Sequence, residues 1–233
     1  MRVKSLGLLV LATLLFAAGT AECRFYTNGP KDGGRFVALT FDDGPGQMTP
    51  DFLAVLEKQK VKATFFMSGS QVKYHPEEAK LVAKAGHEIG SHTTVHRGYH
   101  KIKVIDEKAI KILTDDIKQT EAVLSTTIGI KPHLLRFPYG YCKKWAIDVC
   151  AKLGYDVINW SYGYDWTKLS DQQLLDYYVK NSAPGAIILM HDGWKVNRVL
   201  ALLPKIIEDI RAKGYEFVTV SELLKLEDKG KGK

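Results

Sequence analysis

Short apolar runs alternate with amphipathic stretches along most of the chain. Residues 36–41 (Phe-Val-Ala-Leu-Thr-Phe) are almost continuously apolar, as expected of a strand buried on both faces. Residues 50–59 place Phe52, Leu53 and Leu56 on one helical face. Residues 63–67 predict a second strand, residues 76–85 a helix stopped by Gly86, and residues 87–90 a short strand. The longest amphipathic stretch, 106–125, spaces Ile110, Leu113, Ile117 and Leu124 for one face. Further strands are predicted over 134–136, 155–160, 186–190 and 216–218, with helices over 143–153, 171–181 and 196–213. Strands separated by helices in this way form βα units with a parallel sheet. About seven such units predict an α/β fold, a closed or nearly closed barrel in one domain over residues 35–226. A lead-in at 22–34 and a polar basic tail at 227–233 flank it, and no Pro- or Ser-rich linker divides it.

The first 21 residues break this pattern. Arg2 and Lys4 precede an apolar run at 6–18, followed by the small residues Gly19, Thr20 and Ala21. Basic, then apolar, then small predicts a secretory signal peptide cleaved after Ala21. The run is short of the ~20 residues of a membrane span. The expectation is therefore an exported protein, secreted, periplasmic or associated with the cell wall. A retained anchor is the alternative.

Composition then narrows the class. With 45% hydrophobic and 25% charged residues in 233, the chain is neither disordered nor fibrous. Three cysteines, Cys23, Cys142 and Cys150, exclude a disulfide-built scaffold. A helix between Cys142 and Cys150 would hold them ~12 Å apart, beyond the ~6 Å disulfide reach. The net charge of +7 suits polyanionic or cell-wall surroundings, but no dense basic arm suggests nucleic acid.

The chemistry-bearing residues fall at successive strand ends, where barrel folds place their working groups. Asp42-Asp43-Gly44-Pro45 follows the first strand. Adjacent acids there point to different sides of the chain, so one can ligate a metal while the other serves as base. His92 and His96 follow the strand at 87–90, and a helical or tightly turned segment would face both imidazoles to one point. Arg136-Phe-Pro-Tyr-Gly140 can aim a guanidinium at a carboxylate and leave backbone N–H groups beside it. Asp165-Trp166 lies in an aromatic-rich stretch, and His191 ends the apolar strand at 186–190. A structural turn or a core histidine would explain each motif alone. Five at successive strand ends point instead to a site with two histidines and one aspartate as metal ligands.

In this order, Thr40-Phe-Asp-Asp-Gly-Pro45, His92-x-x-x-His96, Arg136-Phe-Pro-Tyr-Gly140, Asp165-Trp166 and Leu189-Met-His191 resemble the five motifs of the polysaccharide deacetylases, the NodB-homology or carbohydrate esterase family 4 enzymes. The resemblance spans about residues 36–220. It implies a single distorted (β/α) barrel and metal-dependent removal of acetyl groups from N-acetylated sugar polymers. Phe137 stands where many members have proline, and Gly163 near where many carry a further acid. The resemblance implies that Asp43, His92 and His96 hold a divalent metal, zinc first, with Co2+, Mn2+ or Ni2+ as alternatives. It also implies that Asp42 is the general base, partnered by Arg136, and His191 the general acid, partnered by Asp165. The Tyr139 backbone would hold the oxyanion, and Trp166 and Leu189 would line a pocket for the acetyl methyl. Peptidoglycan is the leading polymer; chitin-type or poly-N-acetylglucosamine substrates and an O-acetyl xylan esterase activity are the alternatives. A catalytically dead carbohydrate-binding protein would lack one of these groups, and none is missing. A non-haem iron oxygenase shares the two-His-one-carboxylate set, but an all-β scaffold in a reducing compartment would be expected for it.

Overall fold

The computed structural model describes residues 24–193 and 196–225. The signal-like segment 1–21, Cys23 and the tail at 227–233 lie outside the described residues. The strands are β1 (Phe25–Tyr26), β2 (Phe36–Asp42), β3 (Thr64–Met67), β4 (Glu88–Ser91), β5 (Leu134–Leu135), β6 (Asp156–Ile158), β7 (Ala186–His191) and β8 (Glu216–Val218). They run in the order β1-β6-β5-β4-β3-β2-β7, all parallel, with β8 added on β2. Two single-residue bridges stitch the far side. Tyr162, beyond β6, pairs with Ile188, and Asn28, beyond β1, pairs with Ala186. The result is the distorted barrel implied by the motifs, and the lead-in segment contributes to its wall. Two residues of β1 carry too little periodicity to be read as a strand from sequence.

Helices α1 (Thr49–Lys58), α2 (Gly69–Tyr74), α3 (Pro76–Lys84), α4 (Glu107–Ile128), α5 (Lys144–Leu153), α6 (Asp171–Lys180), α7 (Asn197–Ala212) and α8 (Val220–Leu224) connect the strands. Asp106 caps α4, its side chain accepting from the Ala109 N–H, and Gly129 in the left-handed conformation ends it. On α4, Leu113, Ile117 and Leu124 are buried as the spacing predicts, but Ile110 is 41% exposed. The predicted strand at 155–160 shrinks to three residues because the chain turns at Asn159 toward β7. Cys142 precedes α5 and Cys150 lies within it, and the two are not bridged. Among the described residues no helix is long and apolar enough to cross a membrane.

The period-two alternation of β2 sets the site. Val37, Leu39 and Phe41 join the cluster under the outer helices, with Phe52, Leu56 and Leu203. Ala38 packs inward against Phe66, Leu134, Ile158 and Ile187. Thr40 and Asp42 share that inward phase, so the sequence parity of one strand delivers a hydroxyl and a carboxylate to the barrel interior. There they meet Arg136, whose guanidinium lies 4.1 Å from the Phe66 ring centre. Phe66 has room because its neighbour in register is Gly90, where an added Cβ would lie 2.6 Å from the ring. Gly90→Ala is therefore expected to overpack this layer and cost about 1–3 kcal/mol, read as a lowered denaturation midpoint. An unchanged midpoint would mean that the ring moves freely and does not brace the guanidinium.

Candidate active site

Asp42 and Asp43 take different partners, Arg136 for the first and both histidines for the second, while both border His92 Nε2. Asp42 closes β2, with 2% of its surface exposed. Its Oδ1 accepts from the Arg136 guanidinium at 2.7 Å. Arg136, wholly buried, also donates to Thr40 Oγ1 (2.7 Å), the Asn159 carbonyl (2.9 Å) and the Ile158 carbonyl (3.3 Å). A buried cation held by one carboxylate and three further acceptors is the arrangement that offsets its desolvation. Asp43, one residue on, has a left-handed backbone, φ 69°. Its carboxylate lies 3.3 Å from both His92 Nε2 and His96 Nε2, and the second oxygen of Asp42 lies 3.9 Å from His92 Nε2.

The two histidines converge without a helix between them. Thr93 (φ 62°) and His96 (φ 45°) are left-handed and bend the segment tightly. Asp116 on α4 holds it. Its Oδ1 accepts from the Thr94 N–H at 2.7 Å, its Oδ2 from the Tyr99 hydroxyl, and its backbone carbonyl from Thr94 Oγ1. Asp116 was not singled out from sequence, although it sits in helical phase with Leu113, Ile117 and Thr120. An acid on the buried stripe of a helix is the signal that could have marked it. His92 Nδ1 lies 2.9 Å from the Arg136 carbonyl. A carbonyl can only accept, so Nδ1 carries a proton, and Nε2 is the nitrogen turned toward Asp43.

Ligand atoms of Asp43, His92 and His96 all lie within 4.8 Å of one another. Two imidazole nitrogens and one carboxylate oxygen, with one imidazole oriented by a carbonyl behind it, fit a divalent transition metal with open positions. The histidines pull the Asp43 carboxyl down to about 2 against the upward push of its burial. Burial lowers the His96 pKa, which favours the neutral, ligating form.

Across the cavity, burial alone would lower the His191 pKa. Asp165 reverses this and, with Asp42 and Asp43, lifts it to about 9. The Asp165 carboxylate accepts from the His191 ring Nδ1 at 2.9 Å and from its backbone N–H at 2.8 Å. Asp43, Asp165, Trp166 and His191 line one open cavity of about 470 Å³. The Trp166 indole meets the His191 ring edge-on at 5.5 Å. Tyr139, left-handed at φ 65°, sets its ring 4.6 Å from that of His96. Leu189 is buried, 2% exposed. It packs against Gly163, whose missing side chain makes that contact possible, with an added Cβ 2.7 Å from Leu189 Cβ.

One further residue ties the two halves together. Asp192, directly after His191, is 1% exposed. Its Oδ2 accepts from Thr49 Oγ1 at 2.6 Å, Thr49 Oγ1 accepts from the Gly46 N–H, and the Asp192 N–H donates to the Asp42 carbonyl. The other oxygen has no hydrogen-bond partner among the described residues. Burial, with repulsion from Asp42 and Asp43, raises this carboxyl to about 7, although the Thr49 bond opposes the shift. A Cβ at Gly44 would overlap the Asp192 carboxylate. Glycine is thus required in the Asp-Asp-Gly-Pro loop so that the end of β7 can clamp it.

The comparisons with known proteins agree with this geometry. Residues 29–158 match the polysaccharide deacetylase family model. A peptidoglycan-N-acetylglucosamine deacetylase of Bacillus cereus is 37% identical over 196 residues, covering 82% of this chain and 89% of that protein. The chain belongs to the polysaccharide deacetylase family. A crystal structure of a peptidoglycan N-acetylglucosamine deacetylase in complex with 4-naphthalen-1-yl-N-oxidanyl-benzamide superposes with a TM-score of 0.81. It is 31% identical and covers 88% of this chain and 94% of its own. A pseudoenzyme of carbohydrate esterase family 4 from Bacillus anthracis also shares the fold. Its TM-score is 0.77 at 25% identity, covering 86% of this chain and 68% of its own. The fold therefore does not carry activity by itself.

The Asp192 clamp can be tested by paired substitution. Gly44→Ala is expected to lower the denaturation midpoint, and adding Asp192→Ala to recover part of the loss because the clash is relieved. A double variant no more stable than the sum of its single changes would remove the clash as the cause.

Proposed function

We propose that this chain is a metal-dependent deacetylase that hydrolyses N-acetyl groups of an amino-sugar polymer, peptidoglycan first, releasing acetate and a free amino sugar. The observation that carries this reading is that Asp43 of the Asp43–His92–His96 cluster and the His191–Asp165 pair line one cavity, with the buried Asp42–Arg136 pair next to that cluster, 3.9 Å from His92 Nε2. Relatives named as peptidoglycan deacetylases support the polymer. Those relatives and the signal-like first 21 residues support an exported, wall-associated location. Two nitrogens and one oxygen support zinc, and Co2+, Mn2+ and Ni2+ accept the same donors.

When bound by Asp43, His92 and His96, the ion would supply Lewis-acid polarisation of the acetamide carbonyl and acidify a water. Asp42 takes the proton of the attacking water as the C–O bond forms. Arg136 fixes that carboxylate, because Asp42 Oδ1 is its acceptor inside the barrel. The backbone N–H of Tyr139 donates to the developing oxyanion. His191, held as imidazolium by Asp165, delivers a proton to the sugar nitrogen as the C–N bond breaks. Trp166 borders the acetyl group, with Leu189 behind it.

Acetate release from peptidoglycan strands, chitooligosaccharides and acetylated xylan, with and without chelator, tests the reading. Chelator-sensitive release from the N-acetylated polymers is expected, whereas release from xylan alone would move the chain to the O-acetyl esterases. Asp42→Asn should keep the metal and lose about 10²–10⁴-fold in rate, and Asp43→Asn should lose metal on elemental analysis. The opposite pattern would exchange their roles. The pH–rate profile should be a bell whose falling limb lies above the ordinary histidine range of ~6.5. Asp165→Asn removes the group that raises His191 and should move that limb to lower pH. A limb unmoved by Asp165→Asn would take the acid role from His191.

A further inference from the structure

The surface beside the cavity on the Tyr139 side is cationic and aromatic. Tyr139 and Tyr141 are exposed. His100 packs between them, 5.8 Å and 5.2 Å from the two ring centres. The buried Nδ1 of His100 has no hydrogen-bond partner among the described residues. The Lys101 ammonium lies 5.6 Å from the Tyr139 ring centre, and that ring lies 4.6 Å from His96. Lys101 is thus one aromatic ring away from the metal-binding cluster. Arg97 is one residue beyond His96 and exposed on the same loop. Among the described residues neither Arg97 nor Lys101 pairs with a carboxylate. Of the nearby cations, Lys144 is paired with Asp148 and Lys143 with the Ile102 carbonyl, while Lys103 is exposed two residues beyond Lys101. On the Trp166 wall, Arg198 is likewise held by Asp171 and the Thr167 carbonyl.

We propose that Lys101 and Arg97 form an anion subsite that binds a carboxylate carried by the sugar next to the one being deacetylated. The inference rests on the deacetylase reading and deepens it, because it selects carboxylate-bearing glycans over neutral ones. Tyr139 supplies an exposed aromatic ring against which a sugar can pack, and the Lys101 ammonium, held over that ring, meets a substituent of the packed sugar or its neighbour. Two unpaired cations beside a stacking surface have little to gain from a neutral polymer. Against a polymer with one carboxylate per disaccharide they add attraction that is partly desolvated and sensitive to salt. In peptidoglycan that carboxylate is the lactyl group of the muramic acid or the end of its stem peptide. The shared chemistry is a monocarboxylate beside the reacting N-acetyl sugar.

The test compares wild type with Lys101→Gln and Arg97→Gln on four probes. They are glycan strands with intact stem peptides, strands stripped to the lactyl carboxylate, the stripped strands with carboxyls reduced to alcohols, and chitooligosaccharides. Acetate release gives kcat/KM, and equilibrium binding of labelled strands gives Kd. In wild type the carboxylate strands are expected to exceed the reduced strands about five- to tenfold in kcat/KM, through KM, with the preference fading at high salt. Each variant should reduce that ratio several-fold, and the double variant should abolish it. Preference for stripped over intact strands assigns the lactyl carboxylate, which is amide-bonded while the peptide is attached, and loss on stripping assigns the carboxylates of the peptide. No preference for carboxylate over reduced strands in wild type, or equal losses on all probes in the variants, would overturn the subsite. Absence of acetate from every probe would remove the deacetylase reading alone, and the Kd ratios would still decide the subsite.

Discussion

Everything at the centre of this barrel is arranged around a buried guanidinium. Arg136 has no contact with solvent, and its cation is matched by one carboxylate, Asp42, at 2.7 Å. Removing either partner would strand a charge in the interior, a loss of about 3–5 kcal/mol for buried pairs. The same side chain reaches Thr40 on β2 and the carbonyls that follow β6, while its backbone carbonyl receives His92. One residue thus fixes the Asp42 carboxylate, the orientation of the His92 imidazole and the spacing of three strand ends. Phe66 and Trp160 flank its guanidinium, at 4.1 and 5.8 Å from the ring centres. Gly90 is the concession in packing that lets Phe66 lie there.

Around that rigid pair the loops store strain. Asp43, Thr93, His96 and Tyr139 are all left-handed without being glycine. Such residues cost of order 1–3 kcal/mol each and persist only where surrounding contacts fix them. Here the surroundings are visible. Asp116 grips the 93–99 segment from α4, and Asp192 grips the 43–46 loop from the end of β7. Both are buried acids that bond loops; neither faces the cavity as a reacting group. The fold contributes stability at these acids so that side chains four residues apart, or adjacent, converge or diverge as the chemistry requires.

The electrostatics of the cavity divide it into two. Neighbouring imidazoles draw Asp43 down to about 2, so it stays anionic, while Asp165 carries His191 up to about 9, so it stays cationic. An anionic carboxylate suits a cation held with the two histidines, and a cationic imidazole suits proton donation, so the cavity keeps opposite charges on its two sides. A pseudoenzyme with this fold makes the point from the other direction, since the barrel can be kept while activity is not.

The sequence by itself determined the order of βα units, the parity of β2 that turns Thr40 and Asp42 inward, and the five strand-end motifs. These are local properties. Hydrophobic period, turn residues and motif spacing lie within a few residues of one another, so the chain carries them explicitly. It did not show the two-residue strand β1 or the six-residue helix α2, each shorter than two periods of its pattern. It placed Ile110 on the buried face of α4, where the helix instead presents it to solvent. Only the tertiary structure decided that His92 and His96 meet Asp43 through a bent loop rather than a helix. It also decided that Asp116 and Asp192 clamp the loops, and that Gly44, Gly90 and Gly163 are empty because a carboxylate, an aromatic ring and Leu189 occupy their space. Those are contacts between residues tens to more than a hundred positions apart, fixed by how the barrel closes, and no local pattern encodes such a distance.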